Sequence, residues 1–514
     1  MPIRSEILRS FYQDSVVLMR VAAQIKKQDG VREAAAFMGT GTNKALLAQT
    51  GLETPESGTA TPEDLILTID AESEALAVSA LQQAKTLLAE RRDTGDSDTE
   101  FAPHTLVAAL RTMPEANLAT ISVPGEFVRF EALKALHRGL NVFVFSDNVP
   151  IADEVELKKE AIARGLFCMG PDCGTAYING TGIGFFNVTT RGRVGCVAAS
   201  GTGLQAVVSR LADLGEGISQ AIGVGGRDLG GEVGGMMTLF ALAALAADPE
   251  TEAIVLISKP PHEDVLPQLR AALVAVDKPV VCCLGKRHDF GGRTLSVSTL
   301  DEAADATVAL LQDKNWTPVA FGDPAAVAAR LDEVNGSLAG TGVLGLYTGG
   351  TLAHEAHLLL TEALGDIAFN GDPTDDTGKH RIIDLGDDVY TVGRPHPMIA
   401  PETRTDVIRS LSATSGTGIL ILDLVLGMGA HDDPAQPVVE ALQEIMAAYA
   451  DTGRRLAVVA TVVGTASDPQ DLTRQIRQLT EAGVMVFPTN AEAARFAALL
   501  SDPNARKDVE RSVR

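Results

Sequence analysis

Two short runs of glycine and hydroxyl residues carry the clearest chemical signal in this sequence. Ser200-Gly201-Thr202-Gly203 follows an apolar run and opens a helical pattern, and Thr348-Gly349-Gly350-Thr351 does the same about 150 residues later. Glycine lets a backbone approach an anion closely, and serine and threonine add hydroxyl donors. The start of a helix presents unpaired N–H groups and about half a positive charge. Each such end stabilises an anion by ~0.3–2 kcal/mol, so the residue types predict a phosphate or oxyanion site. Charged residues at the ends of neighbouring apolar runs would complete it. Arg227 follows Gly225-Gly226, and Lys259 stands in Ser258-Lys259-Pro260-Pro261. Arg394 and His396 stand in the loop GRPHP, where prolines fix the backbone and Arg394 suits a bidentate grip on a carboxylate.

Other motifs fall short of chemistry. His354-Glu355-Ala356-His357 is one residue too short for the zinc-protease spacing, and GTGTNK at 39–44 lacks the P-loop spacing and reads as a helix entry. Cys168, Cys173, Cys196, Cys282 and Cys283 match no zinc pattern and read as buried thiols, with Cys173 alone in a loop.

The elements that must position these residues form a repeat. The segment 194–208 is answered by 342–356, 221–230 by 381–390, 253–261 by 418–429 and 279–286 by 456–465, always in the same order. Four matched strand–loop units predict a duplicated α/β domain over 191–315 and 340–500. Ahead of it, apolar runs at 119–125, 141–147 and 165–175 alternate with helical patterns, the signature of a parallel sheet with ligands at its carboxyl ends. The first 90 residues predict a small β-α-β-α-β-α unit. Its strands are expected near Ser10-Phe11, at 34–38 and, by alternation, at 64–70; its helices at 15–27 (capped by Asp14 or Ser15), 43–49 and 72–90. ERRDTGDSDTE at 90–100 reads as a linker. The fold class is therefore α/β, in four domains. They are a ferredoxin-like 1–92, a Rossmann-like 101–190, and two flavodoxin-like domains at 191–318 and 319–514.

At 514 residues one core does not suffice. The aliphatic composition, with only 4% aromatics, suits parallel sheets buried on both faces. A net charge of −24 disfavours nucleic acid and anionic membranes, so an anionic substrate needs local positive ends. No apolar run is long enough to span a bilayer and the N-terminus lacks a signal-peptide pattern, which predicts a cytoplasmic protein.

The order VPGEFVRFEAL, FSDNVP, MGPDCGT, ASGTGLQ, GVGGRDLG and VLISKPP resembles the α-subunit of succinyl-CoA synthetase, and 341–500 resembles the ligase domain of its β-subunit. Together with GLYTGGTLA, IIDLGDD and YTVGRPHPMI, these motifs resemble the FdrA family over nearly the whole chain. The resemblance implies a CoA-binding-type domain in which Pro124, Ser146, Asp147, Pro171, Asp172 and Cys173 would contact CoA. It also implies an anion held between two helix ends. One is 200–203, and the second corresponds to Gly427-Met428-Gly429-Ala430-His431, with Gly427, Gly429 and His431 as contacts. Gly225, Gly226, Gly349, Gly350 and Thr351 would extend the cradle. Two departures matter. The phosphorylated histidine of the synthetase has no counterpart in KPVVCCLGKRHDFGG, where His288 lies between Arg287 and Asp289, and no ATP-grasp domain is present. Lys259 stands where the synthetase has an acid, which suits a free anion better than an imidazole.

The family includes a subunit attributed to oxamate carbamoyltransferase. The resemblance thus implies carbamoyl transfer among phosphate, carbamoyl phosphate, oxamate and oxalurate, by a subunit with partner subunits or as a homodimer. Alternatives are an acyl-CoA synthetase with a separate nucleotide-binding partner, and a non-catalytic scaffold. Mg2+ is compatible with phosphate chemistry, but the sequence names no ligands for it.

Overall fold

The computed structural model describes residues 2–502 except 14, 94–102, 335–337, 376–378, 392–394 and 414–415. It divides into two units: Met1–Thr112 with Asp387–Ala400, and Met113–Gly386 with Pro401–Arg514.

The first unit holds a three-stranded sheet of β1 (Ile3–Leu8), β2 (Val31–Met38) and β3 (Leu65–Ala71), in the order β1-β3-β2 with both pairings antiparallel. Strand β1 thus ends before Ser10-Phe11, where the sequence places it. Strand β3 does not alternate between buried and exposed, because both faces of the sheet are covered. Leu65, Leu67 and Ile69 pack with Leu18, Val21 and Ile25 of the helix Ser15–Lys26 and with Ala77, Ala80 and Ala84 of the helix Glu74–Asp93. Ile66 packs on the other face with Leu47 and Leu52. The helix Glu74–Asp93 runs into the expected linker, so residues 90–93 are helical. The rest of that linker, and the cap position Asp14, lie outside the described residues.

The second unit holds three parallel-rich sheets. Strands β4 (Leu118–Ile121), β5 (Asn141–Val144) and β6 (Cys168–Met169) pair in parallel in that order. The hairpin β7 (Thr175–Ile178) and β8 (Thr181–Gly184) follows. It pairs antiparallel with β10 (Ile218–Gly223), so it extends the next sheet rather than the Rossmann-like one. That sheet continues with β9 (Arg191–Ala198), β11 (Ala253–Ile257), β12 (Val280–Cys283) and β13 (Thr294–Val297), in the order β13-β12-β11-β9-β10-β7-β8. The last sheet is built from β14 (Gly342–Tyr347), β15 (Ala368–Phe369), β16 (Arg381–Asp384), β17 (Thr417–Val425), β18 (Ala457–Val463) and β19 (Met485–Phe487), in the order β15-β16-β14-β17-β18-β19.

With the two-residue edge strand β15 and the hairpin β7-β8 set aside, the remaining five strands of each sheet carry the flavodoxin-like order 2-1-3-4-5. Their strands are aliphatic because helices cover both faces; every residue of β11, β12, β14 and β17 is buried. In such sheets the chain leaves its first strand toward one side and returns on the other. The carboxyl ends of strands one and three therefore frame a crevice, between β9 and β11 in the first half and between β14 and β17 in the second.

Candidate functional site

Strand β9 delivers the chain to Ser200, whose extended backbone ends the strand and caps the helix Gly201–Asp213. Its Oγ accepts the Gly203 N–H at 3.0 Å. The next two amides, of Gly201 and Thr202, have no hydrogen-bond partner among the described residues, and both residues are partly exposed. The two glycines differ in what they permit. A Cβ on Gly201 would ask only a small shift of the Thr175 hydroxyl, 3.3 Å away, whereas one on Gly203 would lie 2.8 Å from Ser200 Oγ and 3.0 Å from Thr351 Cγ2.

Thr351 belongs to the other half. The loop 348–351, which opens the helix Gly350–Leu364, faces 200–203 directly: Ser200 Oγ and Thr351 Oγ1 share a hydrogen bond, and a Cβ on Gly349 would lie 3.1 Å from Thr202 Cβ. The two matching helix starts thus meet each other. Ahead of the second start, a buried side chain holds the loop. Asp423, fully buried in β17, accepts the Thr348 N–H at 2.7 Å, the Thr348 hydroxyl at 3.1 Å and the Gly349 N–H at 2.8 Å. Arg404, 2% exposed, donates to its carboxylate at 3.2 Å and to its main-chain carbonyl. Burial raises the Asp423 carboxyl, opposed by Arg404 and the two amides; burial likewise lowers the Arg404 guanidinium, opposed by Asp423. On the far side of the loop, Asp384 Oδ2 lies 2.5 Å from where a Cβ on Gly350 would be.

The loop 427–431 is not a helix start. Its helix begins at Ala435 after Pro434, and the intervening polar groups are paired internally. Gly427 N–H donates to Gln470 Oε1 at 3.0 Å, and Met428 N–H to the Phe186 carbonyl at 2.7 Å. His431 Nδ1 accepts the Asp433 N–H at 3.0 Å. Gly427 and Gly429 adopt φ of +116° and +88° and pack against Phe186 and Phe185 of the hairpin end. The glycine-rich composition of 427–431 therefore reflects a tight join between the halves. What faces 200–203 is 348–351.

Arg227 is committed elsewhere. Its guanidinium donates to the Val149 carbonyl at 2.9 Å and pairs with Glu154 at 2.8 Å. Beneath it, the fully buried Lys158 ammonium donates to Glu154, Asp228 and the Val224 carbonyl, at 2.7, 2.8 and 2.8 Å. Burial alone would pull that ammonium down, but the two carboxylates lift it above its ordinary value. Asp228 also accepts from the amides of Met237 and Thr238 and so caps the helix Met236–Ala247. This network fastens the helix Ile151–Ala163 to the first half. Gly225, at φ +85°, sits against the Pro171 carbonyl, and Gly226 near the Ala199 carbonyl, so both close the loop beside 200–203. Lys259 is exposed at the end of β11. It faces His354, whose imidazole is held below its ordinary value by burial first, then by Lys259 and His357.

Pro124, Ser146, Asp147, Pro171, Asp172 and Cys173 gather at the carboxyl end of the β4-β5-β6 sheet. Pro124 caps the helix Gly125–Leu136, Ser146 Oγ accepts the Val123 N–H at 3.0 Å, and the Asp172 N–H donates to the Ser146 carbonyl at 2.9 Å. Asp147 and Asp172 are exposed. Cys173, expected in an accessible loop, is 3% exposed, and burial pushes its thiol up to about 12, so it is no nucleophile at neutral pH. His288 has its Nε2 buried without a hydrogen-bond partner among the described residues, its ring against Phe290. His396 belongs to the first unit. Burial lowers it to about 4, and its Nδ1 accepts the Met398 N–H, so the neutral ring carries its proton on Nε2. Arg394 lies outside the described residues.

Sequence reasoning missed Asp423 and Arg404. The signal was present: Asp423 is the one charge inside the apolar run ILILDLVLG.

Two flavodoxin-like halves joined at their helix starts, preceded by a Rossmann-like sheet, define a succinyl-CoA synthetase-like protein, and residues 346–500 match the CoA-ligase family. Residues 1–103 match the family described as AllF, heavy metal-associated domain. The chain is 37% identical over 512 residues to the uncharacterized protein YahF of Escherichia coli K12, covering 97% of this chain and 98% of that one. With the motifs above, this places the chain plainly: it belongs to the FdrA family. It is 27% identical over 197 residues to the mitochondrial succinate–CoA ligase subunit alpha-2 of Trichomonas vaginalis, covering 35% of this chain and 62% of that one. Among solved structures it is similar to PH0766 of Pyrococcus horikoshii, 15% identical with a TM-score of 0.33, over 80% of this chain and 88% of that one.

The metal implied by the name of the N-terminal family does not fit the residues. Residues 1–103 contain no cysteine and no histidine, the usual protein ligands of zinc and copper. The loop after β1 is organised instead by Asp64, which accepts from the Ser10 and Thr61 amides and from Arg9 at 2.7–3.0 Å. Among the described residues no three His, Cys, Asp or Glu side chains are placed to hold a metal ion.

Proposed function

We propose that this chain is the phosphate-handling subunit of a carbamoyltransferase of ureide breakdown, converting oxalurate and phosphate to oxamate and carbamoyl phosphate. The observation that carries the reading is the helix start at Gly201-Thr202, with unpaired amides, in a chain whose family relatives are CoA ligases but which lacks a phosphoacceptor histidine there. Phosphate held by the Gly201 and Thr202 amides, beside the Ser200 and Thr202 hydroxyls and within the positive field of Lys259, attacks the terminal carbamoyl carbon of oxalurate directly. The new P–O–C bond forms as the C–N bond to the oxamate nitrogen breaks, and the proton of hydrogen phosphate passes to that nitrogen. No covalent enzyme intermediate and no nucleotide is required. Catalysis rests on positioning two anions and on amides aimed at the developing oxyanion.

The reaction is tested in reverse. The full chain is mixed with carbamoyl phosphate and oxamate, with candidate partner subunits added, and followed by phosphorus NMR. Oxamate-dependent release of phosphate with formation of oxalurate supports the reading. If CoA consumption requiring ATP is seen instead, the residues 124–173 serve an acyl-CoA ligase.

A further inference from the structure

Away from the glycine loops, a cavity of about 40 Å³ lies where the helix Gly201–Asp213 of the first half meets the helices Gly350–Leu364 and Asn490–Ser501 of the second. That is room for roughly two or three waters, or for a ligand of a few non-hydrogen atoms. Asp213 is among its walls and is exposed, so the cavity reaches solvent on that side. Two buried polar atoms on residues of its walls lack a hydrogen-bond partner among the described residues. They are Ser209 Oγ and Asn490 Oδ1, each on a residue 5% exposed. Buried groups of this kind are nearly always paired, with protein, water or ligand. Asn490 is oriented by its own contacts: its side-chain N–H groups donate to the Leu352 carbonyl at 2.9 Å and to Glu355 Oε2 at 2.8 Å, which leaves Oδ1 as the unused acceptor.

The same walls carry more negative than positive charge. Asp213, Asp301 and Glu355 line the cavity against one cation, Arg210, which is already paired with Asp305 at 2.8 and 3.3 Å. Glu355 accepts the Leu300 N–H at 2.7 Å, and Asp301 accepts the Glu302 N–H at 2.9 Å and the Thr489 hydroxyl at 3.1 Å. These donors satisfy part of each carboxylate but bring no full charge. Burial first, and Asp301 next, hold the Glu355 carboxyl up at about 7, the behaviour of a carboxylate short of a counter-ion. Arg210 and Asp213 belong to the last turn of their helix, whose carbonyls add about half a negative charge. An unused acceptor and surplus carboxylate call for an occupant that donates hydrogen bonds and is positively charged. We propose that this cavity binds a small nitrogenous cation, of ammonium to guanidinium size, which donates N–H groups to Asn490 Oδ1 and Glu355 with Ser209 Oγ as a further acceptor. Because the walls belong to both halves, the occupant ties the helix Gly201–Asp213 to the second half. The site lies toward the carboxyl end of that helix and does not depend on the anion reading at Gly201-Thr202.

The probes are guanidinium, ammonium and urea, the last an uncharged N–H donor of guanidinium size. Low millimolar guanidinium chloride or ammonium chloride should raise the melting temperature of the full chain and saturate, against the general destabilising action of guanidinium. Urea, and sodium chloride at equal ionic strength, should give no such rise. Glu355→Gln keeps the shape but removes the charge, and Ser209→Val replaces the hydroxyl by methyl groups; each should lose the response. If neither cation raises the melting temperature, water alone fills the cavity and the proposal falls. Equal stabilisation by urea would overturn the cationic class. A rise retained in full by either folded variant would place the cation elsewhere and overturn the site. Should Glu355→Gln fail to fold, Ser209→Val decides.

Discussion

Gly201 and Gly203 look interchangeable in the sequence, yet their surroundings assign them different work. A methyl group on Gly203 would press on Thr351 and Ser200, and overpacking of this kind costs ~1–3 kcal/mol. Gly203→Ala should therefore lower the denaturant midpoint, while Gly201→Ala should leave it within ~0.5 kcal/mol of wild type; equal losses would show that the contact with Thr351 has no energetic weight. Glu355 provides a pH signature. It is buried, accepts the Leu300 N–H and the Asn490 side-chain N–H at 2.7 and 2.8 Å, and is raised from 4.5 to about 7 by burial first and by Asp301 next. The folded state thus holds its proton more tightly than the unfolded state. Its contribution is fully present below pH 4.5 and is lost as pH rises through about 7, at no more than ~1.4 kcal/mol per pH unit. Glu355→Gln should flatten the fall in stability over that window, measured by urea unfolding at several pH values. An unchanged pH profile would mean that Glu355 is ionised throughout. The loop 200–203 could be read from composition because an N-cap is a local motif. The Asp423 clamp could not, since it joins residues 74 and 75 positions apart.

At the scale of elements, the buried network around Lys158 decides how the helix Ile151–Ala163 sits on the first half. Its ammonium has three hydrogens and three acceptors, so none is left over. Replacing it takes the cation from buried Asp228 and leaves Glu154 with Arg227, and breaking such a buried pair costs ~3–5 kcal/mol. Lys158→Met should lower stability by that order and leave Arg227 as the cation paired with Glu154; a loss below ~1 kcal/mol would show the carboxylates neutralised by protonation. The parallel α/β character of both halves was legible in the repeat, because aliphatic runs separated by helices leave few topologies. The helix start at 427–431 was misread for an equally physical reason. Glycines at positive φ mark a close approach between backbones as readily as an anion cradle, and here the approaching backbone is that of Phe186. In the first unit the strand expected near Ser10-Phe11 lies wholly earlier, at Ile3–Leu8, ahead of the aromatic pair Phe11-Tyr12.

For the whole molecule, the account joins a ligase architecture to chemistry without a phosphoenzyme. Incubation with ATP or an acyl phosphate should leave no acid-labile phosphate, since His288 turns its Nε2 into the protein; mass spectrometry finding phosphate on His288 would restore the ligase mechanism. Residues 1–103 should take up neither zinc nor copper(I), for want of cysteine or histidine, and metal bound there at micromolar affinity would contradict the reading of that domain as a fold without its metal. The central claim is that this fold handles a small phosphate at the first helix start. Its most direct test is parallel calorimetric titration of the full chain with carbamoyl phosphate and with CoA. The account predicts carbamoyl phosphate binding at one site, competed by inorganic phosphate and unaffected by CoA. Binding of CoA with no response to either phosphate compound would contradict it.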